Sequence, residues 1–212
     1  MSARAGLIVQ TEVRGDRPRY LELGPEELRG IASALERLLR ASGVEPGQRM
    51  LVYDFSTSLS ALALTRAYAP GLDAGACDSI GCSVISLDGL PSLASRTAFF
   101  YRLLRPEVLM IRRELLAPLR AKLGGSSLSS VIVTSPEPVQ VDVPGASSVR
   151  TLYVLDEALF MAIMRGGRAA YPGDLYESRC DDGNISVRPR FASGLGFTPT
   201  AIRCTNQEVS AI

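Results

Sequence analysis

Apolar positions in this chain recur at two spacings, and the switching between them predicts the elements. Leu28, Ile31, Ala32, Leu35, Leu38 and Leu39 fall at helical intervals, so a helix with one buried face is expected there. Pro25 suits its first position, Glu26 and Glu27 suit the positive end of its dipole, and Gly43 suits the left-handed residue that ends it. Before it, Leu7 to Leu23 alternates loosely around Arg14-Gly15-Asp16, the pattern of a β-hairpin. After it, strands are expected at Arg49 to Phe55, Cys82 to Leu87, Glu107 to Ile111 and Ser129 to Thr134. Helices are expected between them: one capped by Ser56, Thr57 or Ser58 and running to about Tyr68, one at Pro91 to Leu104, and one at Arg112 to Leu123 before Gly124-Gly125. Short strands alternating with longer helices signal an α/β fold, a mostly parallel sheet with crossover helices.

The pattern changes after Ser135. Proline and valine dominate from Pro136 to Pro144, Thr151 to Leu155 reads as a strand or irregular segment, and Asp156 to Met164 as helical. Leu175 to Val187 reads as a hairpin turning at Asp181-Asp182-Gly183, and Phe191 to Ile212 as loop or edge strand. The expected division is residues 1–150, an α/β subdomain opened by a hairpin, and residues 151–212, a small β-rich C-terminal extension packed on it.

Composition narrows the chemistry. The 212 residues include no histidine, which excludes Ser-His-Asp and Cys-His catalysis, His-ligated metals and imidazole proton shuttles. A formal charge of +1 offers no basic field to nucleic acid or anionic lipid, so neither is an expected partner. No secretory signal and no long apolar run is found, and a cytoplasmic location without a membrane span is expected. Lys122 is the only lysine beside many arginines, and asparagine occurs only at 184 and 206, a balance that suits a thermophile or a GC-rich genome alike. Cys77, Cys82, Cys180 and Cys204 are too few for a disulfide scaffold. Small buried thiols are one reading of them, and a disulfide in a thermophile cytosol is another. The stretch around Cys180 resembles a zinc-binding segment but has Asn184 and Ser186 where histidine would be needed, so no metal site is assigned.

Several segments in order resemble adenylate-forming enzymes, in particular phenylacetate-CoA ligase and its relatives. Ser42 to Arg49, reading SGVEPGQR, resembles the family's "GV..GD.V" segment, and Gly81 to Ile85 its "GA.VIP" strand. Arg105 to Ile111, RPEVLMI, stands where relatives place a "PTVL" strand. SSVIVTSPEP at Ser129 to Pro138 resembles the strand ending in "GAEP", and Tyr153 to Glu157 resembles "YG.TE". The resemblance implies the fold of the N-terminal subdomain of acyl-CoA ligases. By position it makes Glu137 and Pro138 the border of an adenine, Tyr153 a neighbour of that base and Glu157 a magnesium ligand, with ATP or AMP as the nucleotide. This chain departs from the pattern at Val154, Asp156 and Ser135-Pro136, which replace the family's glycine, threonine and Gly-Ala.

Relatives also carry a glycine- and hydroxyl-rich phosphate loop before the hairpin, whereas Val9 to Pro18 here has one glycine and two carboxylates. The family's ribose-binding aspartate and catalytic lysine lie in later parts for which Pro172-Gly173-Asp174 and Lys122 are poor substitutes. The implied function is a truncated ligase-like domain without autonomous activity or catalytic residues of its own, acting as a binding or accessory module. The alternative is one subunit of a split ATP-dependent carboxylate-CoA ligase whose missing parts come from a partner chain. A homodimer is expected from apolar surface that absent subdomains would have covered.

Overall fold

The computed structural model describes residues 7–11, 19–56, 58–69 and 71–210. An antiparallel hairpin, β1 (Leu7–Thr11) and β2 (Arg19–Leu23), pairs Leu7 with Leu23; its expected turn at Arg14-Gly15-Asp16 lies outside the described residues. Helix α1 (Pro25–Ala41) follows, with the Glu27 carboxylate accepting from the Gly24 amide at 3.0 Å, so a helix-start donor that has no partner within the helix is satisfied. Then come β3 (Arg49–Asp54), two short helices α2 (Leu59–Leu62) and α3 (Ala76–Ile80), and β4 (Ser83–Asp88). Next are α4 (Ala94–Leu104), β5 (Val108–Arg112), α5 (Arg113–Leu123), β6 (Leu128–Ser135) and β7 (Ala146–Leu155). The chain goes on through β8 (Phe160–Arg165), β9 (Arg168–Pro172), β10 (Tyr176–Asp181), β11 (Asn184–Pro189), β12 (Thr198–Arg203) and β13 (Gln207–Ser210).

The main sheet has the order β13-β9-β8-β7-β6-β5-β3-β4. Strands β4, β3, β5, β6 and β7 are mutually parallel, and β8 and β9 continue the sheet antiparallel. The expected 150/151 boundary falls inside β7. Alternate residues of the central strands feed two cores, as the two-residue period of a strand requires. Met50, Val52, Val108 and Met110 meet the apolar stripe of α1, whereas Leu51, Tyr53, Leu109 and Ile111 meet α4 and α5. A smaller antiparallel sheet, β10-β11-β12, holds the hairpin expected around Asp181-Asp182-Gly183. Among the described residues no helix is long and apolar enough to cross a membrane.

Two expectations are corrected. Asp156 to Met164 is not a helix: after one 3-10 turn at Asp156–Ala158, Leu159 takes φ 50° and the chain turns into β8. Phe160 to Met164 is buried at every position, and such a run cannot be told from a helix by periodicity. The helix expected to reach Tyr68 stops at Leu62, and Asp78 instead ties the following loop by accepting from the Arg66 and Gly75 amides at 2.7 and 2.8 Å. Each of the two readings of the cysteines holds for one pair: Cys77 and Cys82 are thiols, and Cys180 and Cys204 form a disulfide. The β10–β11 hairpin and β12 carry those two together, with Cα atoms 5.9 Å apart and the Cys204 amide donating to the Gly183 carbonyl at 3.0 Å.

Candidate functional site

The parallel strands reverse their lateral direction between β3 and β5. From β3 the chain moves outward to β4 through α2 and α3, on the α1 face; it then returns past β3 to β5, β6 and β7 through α4 and α5 on the opposite face. Crossovers leaving on opposite faces open a crevice at the carboxyl ends of the two strands, where α/β proteins place ligands. Here the crevice is lined by Asp54 from β3, Arg112 from β5, Thr134 and Ser135 from β6, Leu155 at the end of β7, and Asp156 and Glu157 after it.

Asp54 dominates it. The residue is 1% exposed, and one carboxylate oxygen accepts from the Phe55 amide at 2.7 Å. The other accepts from the hydroxyls of Ser60 at 3.2 Å and Thr134 at 3.0 Å. Burial pushes its pKa up, opposed by the Arg112 charge and these hydrogen bonds. The Arg112 guanidinium is itself held: Nε donates to Glu114 at 2.7 Å and the group lies 4.7 Å from the centre of the Phe55 ring. The crevice has a volume of about 50 Å³, room for a few waters. A cavity of about 440 Å³ opens beside it at the carboxyl end of β4. Tyr68, Leu87 and Leu93 supply its apolar wall, Ser56, Ser86 and Thr97 its hydroxyls, and Asp88 and Arg96 its charges. Arg96 lies 5.7 Å from the centre of the Phe100 ring.

The four residues singled out by resemblance are not gathered at one point. Glu157 lines the crevice. Glu137 is exposed and accepts from Arg113 at 2.6 Å, and Pro138 is half-buried behind it, while Ser135 and Pro136 reach the crevice instead. Tyr153 is 1% exposed and meets Phe160 edge-on at 6.1 Å. Phe160 in turn meets Tyr171 and Tyr176 at 5.0 Å each, so Tyr153 borders an aromatic core. Pro172-Gly173-Asp174 is a turn whose Asp174 accepts from Arg37 at 2.6 Å, and that pairing holds the aspartate's pKa below its ordinary value. Asp54, Arg112 and Thr134 were overlooked, although a signal was present: in MLVYD, VLMIR and VIVTS an apolar run ends on a polar residue, which is where a parallel strand delivers a side chain to a site.

No protein-family model and no curated protein matches the sequence. Solved structures do match the fold. An open conformation of 2-hydroxyisobutyryl-CoA ligase with 2-HIB-AMP and CoA superposes with a TM-score of 0.63 at 15% identity, over 96% of this chain and 51% of that one. An acyl-CoA synthetase (AMP-forming)/AMP-acid ligase II-like protein from Dyadobacter fermentans gives 0.59 at 13% identity, over 94% and 56%. The N-terminal subdomain of Klebsiella oxytoca NpsA, in complex with 3-hydroxyanthranilyl-AMSN, gives 0.53 at 15% identity, over 97% and 55%. The fold is that of an acyl-CoA ligase N-terminal subdomain. This chain spans about half the length of those ligase chains.

The crevice is lined by three carboxylates, Asp54, Asp156 and Glu157, and one guanidinium, Arg112. Lys122 is exposed at the far end of α5, about 14 Å along the helix from Arg113 at the strand ends. Among the described residues no three carboxylates or thiols converge as metal ligands.

Proposed function

We propose that this ligase-fold domain is a binding module without adenylation activity of its own, and that it holds a small organic acid in the cavity at the carboxyl end of β4. The observation that supports this most is the lining of that cavity. It combines the Arg96 guanidinium, the hydroxyls of Ser56 and Ser86 and an apolar wall, with the Asp88 carboxylate as the opposing charge, in about 440 Å³, the size range of small-molecule sites. Arg96 would take the carboxylate, and Tyr68, Leu87 and Leu93 the apolar body. Adenylation also needs donors and positive charge aimed at the transferring phosphate, and losing one such donor alone costs about 10²–10³ in rate.

Calorimetry with short acyl and aryl acids, ATP, AMP and CoA tests both parts. An acid should bind, and Arg96→Ala should weaken it about tenfold or more, the loss expected for one charge-assisted hydrogen bond. Acid binding unchanged by that substitution removes the site. Release of pyrophosphate from ATP by the purified chain with any acid removes the claim of inactivity.

A second reading is favoured by the one-sided match, nearly all of this chain against about half of each ligase. In it the domain is one part of an ATP-dependent carboxylate-CoA ligase of the phenylacetate-CoA ligase branch, and a partner chain supplies phosphate-binding groups. Glu137, Pro138, Tyr153 and Glu157 would then form this chain's share of a nucleotide seat for AMP and magnesium. ATP-dependent thioester formation only in the mixture of the two chains supports that reading, and sedimentation at micromolar concentration tests the homodimer.

A further inference from the structure

At the opposite end of the sheet from the crevice, α3 closes with a backbone pattern that brings two thiols together. Gly81 takes φ 84°, and both the Gly81 and the Cys82 amides donate to the Cys77 carbonyl, at 2.9 and 3.0 Å. The bond from Cys82 is the six-to-one link of a Schellman ending, in which the side chains at these two positions meet. Standard bond lengths around that hydrogen bond put the two Cα atoms about 5–6 Å apart, inside the span a disulfide bridges. The turn is fixed from outside as well. The Gly47 amide donates to the Gly81 carbonyl at 2.8 Å, the Ser83 amide to the Gln48 carbonyl at 2.9 Å, and Arg40 to the Ser79 carbonyl at 3.1 Å. The two sulfurs differ in access, for Cys77 is fully buried and Cys82 only half-buried.

We propose that Cys77 and Cys82 form a redox-active dithiol that exchanges with low-molecular-weight disulfides, Cys82 attacking and Cys77 resolving. The electrostatics support the division of labour. The Cys82 thiol is pushed below its ordinary pKa, chiefly by the hydrogen bond from Cys77 and further by the Arg40 charge, against burial and the nearby Asp78. Cys77 is pushed far up by the same hydrogen bond and by burial. Asp78 is occupied by the Arg66 and Gly75 amides. In the first step the Cys82 thiolate attacks a disulfide RSSR, forming the mixed disulfide Cys82–SR and releasing RS⁻, which takes up a proton. In the second, the Cys77 thiol gives up its proton and attacks the Cys82 sulfur, closing the Cys77–Cys82 bond and releasing a second thiol. The dithiol loses two electrons and two protons, and RSSR becomes two RSH.

The test incubates the full chain with glutathione disulfide and reads residues 77–82 by differential alkylation and peptide mass, with the Cys180–Cys204 peptides as the internal reference. Wild type should end with the 77–82 peptide lighter by two hydrogens and no stable glutathione adduct. Cys77→Ser should react about as fast but keep one glutathione on Cys82, and Cys82→Ser should react about tenfold more slowly. Two alkylatable thiols persisting in wild type under excess glutathione disulfide overturn the proposal without any variant. So does an equal rate for the two variants. Acid binding at the β4 cavity is a separate readout, so either reading can fail alone.

Discussion

Replacing Tyr176 by phenylalanine removes one oxygen and tests how the wall of the crevice is held. The Tyr176 hydroxyl donates to the Leu159 carbonyl at 3.0 Å, and the two residues are 2% and 1% exposed. Phenylalanine fills nearly the same volume, so the cost comes from the stranded carbonyl, about 1–3 kcal/mol for a buried acceptor left unpaired. Leu159 also sits at φ 50°, a left-handed conformation that costs a side-chain-bearing residue about 1–2 kcal/mol and persists because its surroundings hold it. A loss of about 2 kcal/mol is expected, which lowers the melting temperature of a chain this size by about 4–8 °C. Urea unfolding should show a lower midpoint with an unchanged slope, since neither compactness nor the unfolded state is altered. Amide exchange should quicken at Asp156 to Leu159, the segment that carries Glu157 to the crevice. A loss below about 0.5 kcal/mol with unchanged exchange would refute the reasoning and assign the turn to packing alone.

Three further outcomes rest on other contacts. Reducing the Cys180–Cys204 bond, which closes a loop with a sequence separation of 24, should cost about 3 kcal/mol, read as the shift in denaturation midpoint with and without reductant. Asp54→Asn should remove a pH dependence: burial raises the folded-state pKa of Asp54, so its contribution to stability falls as pH rises from the ordinary carboxyl range through the folded value. Unfolding midpoints between about pH 4 and 8 should therefore slope in wild type relative to the variant, and parallel curves would remove Asp54 as the cause. Gly75→Ala should destabilise by about 1–3 kcal/mol in urea unfolding, because a Cβ there would lie 2.4 Å from the Leu64 carbonyl, a backbone group that cannot step aside.

Much of the parallel part of the sheet was legible because α1, β3, α4, β5, α5 and β6 each bear a local signal, whereas the loop-like stretch that holds α2 and α3 does not. Leu28 to Leu39 is periodic on one face, and MLVYD, VLMIR and VIVTS are apolar runs bounded by turns or caps. The second half was less so, and the failures share a cause. Phe160 to Met164 is apolar at every position because β8 is covered on both sides, and a doubly covered strand loses the alternation that would distinguish it. The partner of Cys180 could not be read either, since Cys204 follows a third strand and lies 24 residues further along the chain. The stretch resembling "YG.TE" begins at the end of β7, yet spacing alone could not tell that Tyr153 would border the ring of Phe160 while Glu157, four residues on, lines the crevice.

The likeness to acyl-CoA ligases therefore concerns a frame, and frames are compatible with many chemistries. What the frame dictates is where strand ends converge; what the sequence decides is the charge delivered there. In this chain Asp54 arrives at the end of β3 with hydrogen bonds from a backbone amide and two hydroxyls, and Arg112 arrives from β5 already engaged with Glu114 and the Phe55 ring. Any ligand approaching that point would meet the buried Asp54 side chain with three donors already on it and a guanidinium held by Glu114 and the Phe55 ring. The neighbouring β4 cavity is lined by the Arg96 guanidinium and the Asp88 carboxylate together with Tyr68 and Leu87. On the proposed reading, the frame places Arg96 where it would take the carboxylate of a bound acid, and the substitution of that one side chain separates retention from the fold itself.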